Sequence, residues 1–114
     1  MNLTDLNPRW IDAPDRQGLG VTFDCPCCVG TARAVRIAVV FTNPLDGGEP
    51  VPLTPRVLWP LLWPKDGEPR VTTAPPGTHW QREGGDFETL TLHPSVDGSA
   101  SGHWHGFLRG GGIQ

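Results

Sequence analysis

The chain has a single lysine, Lys65, and no basic run anywhere in its 114 residues. Nine Lys plus Arg stand against twelve Asp plus Glu, for a net charge of −3. That balance excludes a broad electrostatic footprint for nucleic acid, which needs clustered cations. A patch assembled in three dimensions from the scattered Arg33, Arg36, Arg56, Arg70 and Arg82 is what such binding would require. Long hydrophobic runs are missing too. No stretch approaches the ~20 apolar residues of a membrane-spanning helix, and residues 1–10 lack the apolar centre of a secretion signal. The expected compartment is the cytoplasm. Cysteine is scarce: three, all between positions 25 and 28. An odd number packed so closely cannot tie distant loops by disulfides, and in a reducing compartment clustered thiols point to metal or redox chemistry. There is also no zinc-protease, deaminase, P-loop or dinucleotide signature, so the sequence carries no recognised catalytic motif.

Glycine and proline are plentiful instead, at 15 and 13 residues, about a quarter of the chain. They fall between strand-like runs rather than in repeats, as in a turn-rich folded domain. Five Trp and four Phe in so short a chain argue the same way, because disordered segments are poor in aromatics. The expected architecture is a single mainly β domain over residues 1–114: a small antiparallel sheet or sandwich with Gly/Pro-rich loops. At 37% hydrophobic content its core is modest, and a metal staple would add the missing stability.

Along the chain, residues 1–18 read as a leading segment with a polar loop. Residues 20–24 alternate as a half-buried strand does, and residues 33–41, rich in Val and Ile, read as a central strand. Residues 42–78 form a proline-rich irregular insert. Within it, Val57 to Pro64 is an apolar island in which Pro60 and Pro64 each remove a backbone donor, which argues against a central strand or a regular helix. Its Trp59 and Trp63 either cover an edge of the core or form an exposed surface for a protein partner. Residues 78–82, 87–93 and 103–109 read as further short strands. Leu108-Arg109-Gly110-Gly111 is explained by a strand that ends in a glycine turn.

The chemistry gathers in two places. Zinc takes four tetrahedral ligands from thiolate sulfur and imidazole nitrogen. Cys25, Pro26, Cys27 and Cys28, followed by Gly30, form a knuckle-like turn at a strand end, with Cys25 and Cys28 as the first pair and Cys27 as a substitute or third thiolate. In a strand, residues two apart share a face, so His103 and His105 would stand side by side with Trp104 turned toward the core. The expected cofactor is one Zn²⁺ held as Cys₂His₂ or Cys₃His. His79 and His93 are expected to be polar surface or core-edge residues. A thiol enzyme would need Cys27 as nucleophile, His103 as base and an acid from Asp24 or Asp86.

These residues resemble a family of small bacterial and phage proteins known as the domain of unknown function 6527. The resemblance rests on the strand entering the cysteine cluster (residues 23–30), on Thr89 to Val96, and on the final segment from Gly102 to Gly110. Residues 43–48 and Trp80-Gln81-Arg82 add to it, and together these cover roughly half the chain. The chain has Cys-Pro-Cys-Cys where the family usually has Cys-Pro-Cys-Gly-Cys, and His103 near a position where many members carry cysteine. The resemblance implies a metal-binding protein encoded by a phage or prophage. Taken with the composition, it leads to a zinc-stapled protein–protein interaction module. A metal-dependent or thiol enzyme is the alternative, and a nucleic-acid-binding zinc domain the second alternative.

Overall fold

The computed structural model describes residues 1–31, 35–62, 71–73, 79–93, 95–97 and 102–114, with 55, 58, 59, 62 and 71–73 placed by their backbone alone. Trp63, Arg33, Arg70 and the 98–101 part of the glycine-rich loop lie outside the described residues. The fold is mainly β. Its frame is β1 (Arg9–Ala13), β2 (Arg16–Asp24), β3 (Arg36–Phe41), α1 (Pro55–Leu62), β4 (Val71–Thr73), β5 (His79–Glu83) and β6 (Thr91–His93). Four two-residue strands follow: β7 (Val96–Asp97), β8 (His105–Gly106), β9 (Leu108–Arg109) and β10 (Gly112–Ile113).

The main sheet runs β1-β2-β3-β5-β6, with β4 also on β3. It is mixed rather than purely antiparallel. β1 and β2 form a tight hairpin and β2 pairs antiparallel with β3, whereas β4 and β5 both run parallel to β3. A strand with neighbours on both edges and cover on both faces must be apolar throughout, and every residue of β3 is buried. Ile37, Val39 and Phe41 face a larger core with Val21, Phe23, Trp80, Leu90, Leu92 and Leu108. Ala38 and Val40 face a smaller one with Ile11, Leu19 and Val51. Gly20 lies where β2 crosses β3, and a Cβ there would run into the Val39 carbonyl oxygen.

The smaller core is covered by α1, which corrects the expectation that the proline-bounded island cannot be a regular helix. Val57 and Leu61, one turn apart, pack with Leu53 on that core. Pro55 starts the helix, where a missing N–H costs nothing. Pro60 forfeits one backbone bond, a tolerable loss in an element held by its apolar face rather than by its own ladder. Residues 1–18, read as a leading segment, contain a 3₁₀ turn (Leu3–Leu6) and all of β1. Leu3 and Leu6 are fully buried.

Arg36 interrupts the apolar logic of β3. Its guanidinium is buried, donating to Asp24 Oδ1 at 2.9 Å, to the Asn7 carbonyl at 2.8 Å, and to Thr22 O and Oγ1 at 3.0 and 2.9 Å. It thus ties the N-terminal turn to the sheet and is spent on architecture, not offered to phosphates. At the far end of the hairpin, Arg16 holds the Asp46 carboxyl down to about 2 through a two-pronged ion pair.

Residues 87–93 are a strand only from Thr91. Asp86 Oδ1 accepts from the Thr89 amide and hydroxyl, and this local turn takes up the backbone that a longer strand would use. Phe87 instead stacks on Trp10 with ring centroids 4.4 Å apart. Gly110 and Gly111, at positive φ, turn β9 into β10, and the Gly111 amide donates to the Leu90 carbonyl. The Gly-Gly pair is therefore built into the fold. Among the described residues no helix is long and apolar enough to cross a membrane.

Candidate metal centre

Cys25 sits where the β2–β3 ladder ends. Its amide donates to the Val35 carbonyl at 2.9 Å, one pair beyond Asp24–Arg36. The chain then coils through two short turns: the Cys28 amide bonds the Cys25 carbonyl, and the Thr31 amide and hydroxyl bond the Cys28 carbonyl. Gly30 takes a positive φ of 79° that allows the exit. This winding brings all three sulfurs to one side. Cys25 and Cys28 are buried within the larger core, and Cys27 is exposed.

The fourth group is His103. Its Nδ1 lies 3.6 Å from Cys27 Sγ and 3.8 Å from Cys28 Sγ. Cys25 Sγ and Cys27 Sγ are 3.1 Å apart, and the four donor atoms lie within 4.8 Å of one another. For ligand bonds of about 2.0–2.3 Å, the edges of a tetrahedron are about 3.5–3.8 Å. The two sulfur–nitrogen separations match that edge; the Cys25–Cys27 pair is closer than it. The donor set, three thiols and an imidazole, suits a divalent ion that is soft enough for sulfur.

Electrostatics supports the same assignment. The Cys27 thiol is pushed up to about 12, first by its hydrogen bond with Cys25, then by burial, then by Cys28. A cation beside the sulfurs would offset that penalty on the Cys27 thiolate. A thiol enzyme needs the opposite, a thiolate stabilised near neutral pH. The acids it would require are also engaged: Asp24 with Arg36, and Asp86 with Thr89.

Of the sequence-based candidates, Cys25, Cys27, Cys28 and His103 come together, whereas His105 does not join them. Residues 103 and 104 precede the ladder, and pairing begins at His105, which lies opposite Asp97. That pairing aims the His105 ring at β7, with Nε2 3.3 Å from Ser95 Oγ and Nδ1 3.9 Å from Asp97 Oδ1. The two-residue rule fails because 103–109 is not one strand. His103 is instead steered by the turn at Gly102, with φ 76°. The Trp104 amide approaches Cys25 Sγ at 3.5 Å, and its ring meets Phe23 edge-on, so Trp104 does lean on the core. His79 bonds the Val51 carbonyl and His93 lies 3.5 Å from Glu83, both away from the cluster. No family model, curated protein or solved structure matches this chain.

Proposed function

We propose that the protein is a zinc-stapled interaction module of a phage or prophage, acting in the cytoplasm by binding another protein. The observation that carries the metal half is the convergence of Cys25, Cys27, Cys28 and His103 on one point. Three thiolates and one imidazole are an ordinary structural zinc set, and four protein ligands fill a tetrahedron without leaving a position for water. The metal's role is then to hold residues 103–104 against the end of the β2–β3 hairpin. The phage origin rests on the resemblance to the domain of unknown function 6527.

Elemental analysis of the purified chain should give one zinc per molecule. His103→Ala should weaken zinc binding by at least about tenfold, and His105→Ala should leave the stoichiometry unchanged. A metal-free protein, or the reverse pattern for the two histidines, overturns the assignment.

The interaction half rests on the aromatic pair of the proline-bounded island. Trp59 belongs to α1, two of whose apolar residues, Val57 and Leu61, pack on the smaller core. Replacing Trp59 and Trp63 together by Ala should preserve zinc content and abolish a partner cross-link formed by the wild-type chain in its host. Loss of zinc or of folding in that variant would instead make the pair part of the core.

A further inference from the structure

The three sulfurs of the cluster are not equivalent. Cys25 is fully buried and Cys28 is 8% exposed, whereas Cys27 faces solvent. Metal-bound thiolates remain nucleophilic, and oxidation follows thiolate character and access. Any small oxidant approaching the centre therefore meets Cys27 first. The Cys25 sulfur lies within reach of it, 3.1 Å away.

Resting on the zinc reading above, we propose that Cys27 is a peroxide-reactive site that makes the metal clip releasable: oxidation at Cys27, resolved by Cys25, ejects the ion. Cys27 thiolate attacks one oxygen of hydrogen peroxide and the O–O bond breaks. This gives a sulfenate at Cys27 and one water. After protonation to the sulfenic acid, Cys25 thiolate attacks the Cys27 sulfur. The S–O bond breaks, hydroxide leaves and a Cys25–Cys27 disulfide forms. Two electrons pass from the two sulfurs to peroxide, and zinc stays divalent throughout. The ion then keeps only Cys28 and His103 of its four ligands, too few to retain it. His103 is freed from the 25–31 loop, so the segment leading into β8 loses its anchor. A thiol reductant reverses the disulfide and restores the site.

The test uses the zinc-loaded full chain, hydrogen peroxide and a colorimetric zinc indicator. Cysteines are mapped by differential alkylation and mass spectrometry. One zinc should be released per chain, in step with a Cys25–Cys27 disulfide and with Cys28 still open to alkylation. Dithiothreitol plus zinc should restore the starting state. Cys27→His keeps a fourth donor that peroxide does not attack, and should slow zinc release by about tenfold or more. A chain that carries one zinc but keeps it while exposed Met1 is oxidised overturns this proposal alone. So does a first oxidation at Cys25 or Cys28, or an irreversible product at Cys27. A chain that never held zinc overturns the metal reading, and this proposal with it.

Discussion

Removing the metal with a strong chelator is expected to lower the melting temperature by at least about 12 °C, and Cys28→Ser is expected to do the same without chelator. Structural zinc contributes apparent binding energies of about 10–16 kcal/mol in small domains, against a total folding stability of about 5–15 kcal/mol for proteins of ordinary size. Even a loss of about 3 kcal/mol moves the melting point by about 4 °C per kcal/mol or more at this length. The larger core here is built from short strands, and two of its members, Cys25 and Cys28, belong to the cluster that could hold the metal. Losing the ion therefore leaves buried thiols and an untied His103 together. Circular dichroism melts of the loaded protein, with and without chelator, read the effect directly. Superimposable curves would show that the sheet stands without the metal.

The second large effect is expected at Asp24. The Arg36 side chain is 4% exposed and the Asp24 side chain 24% exposed. Breaking a buried ion pair by deleting one partner costs about 3–5 kcal/mol, because the survivor stays charged and desolvated. The partial exposure of Asp24 puts Asp24→Ala at about 2–3 kcal/mol. The three bonds from Arg36 to Asn7 and Thr22 remain and keep the side chain in place, so the charge has no route to solvent. Adding Arg36→Met should recover part of the loss, since an apolar side chain of similar length suits the site. Urea denaturation of the two single variants and the double variant gives the coupling. A coupling energy under about 0.5 kcal/mol would mean that water screens the pair as it does on a surface. Zinc content should stay at one per chain in all three, which separates this effect from the first.

Much of the frame is legible in the sequence. Residues 20–24 and the Val/Ile run before Phe41 became β2 and β3 because alternation and continuous apolarity follow from how many faces a strand buries. The helix over the proline-bounded island was not legible. Its stability comes from Val57 and Leu61 meeting Ile11, Leu19 and Val40, residues distant in sequence, while its local signal carries Pro60. Nor was β1, whose register is set by pairing with β2 across the Pro14–Asp15 turn. The strand read over 87–93 shortened because the Asp86 carboxylate captured the Thr89 amide, a competition that spacing alone does not decide.

The metal centre divides in the same way. Three thiols within four positions in a chain with no other cysteine already determined, by themselves, that these sulfurs would lie together: covalent spacing holds them within reach of one ion. The sequence also marked the segment around 103–105 as the other half. Which histidine lies beside the sulfurs, and that Cys27 gathers with Cys25 and Cys28, only the tertiary structure decided. A strand rule makes His103 and His105 equivalent. The pairing of His105 with Asp97 breaks that equivalence by fixing one ring toward β7, while the turn after Gly102 leaves the other free to reach the sulfurs. Which histidine stands beside the thiols is a matter of where backbone hydrogen bonding begins, and that depends on a partner strand.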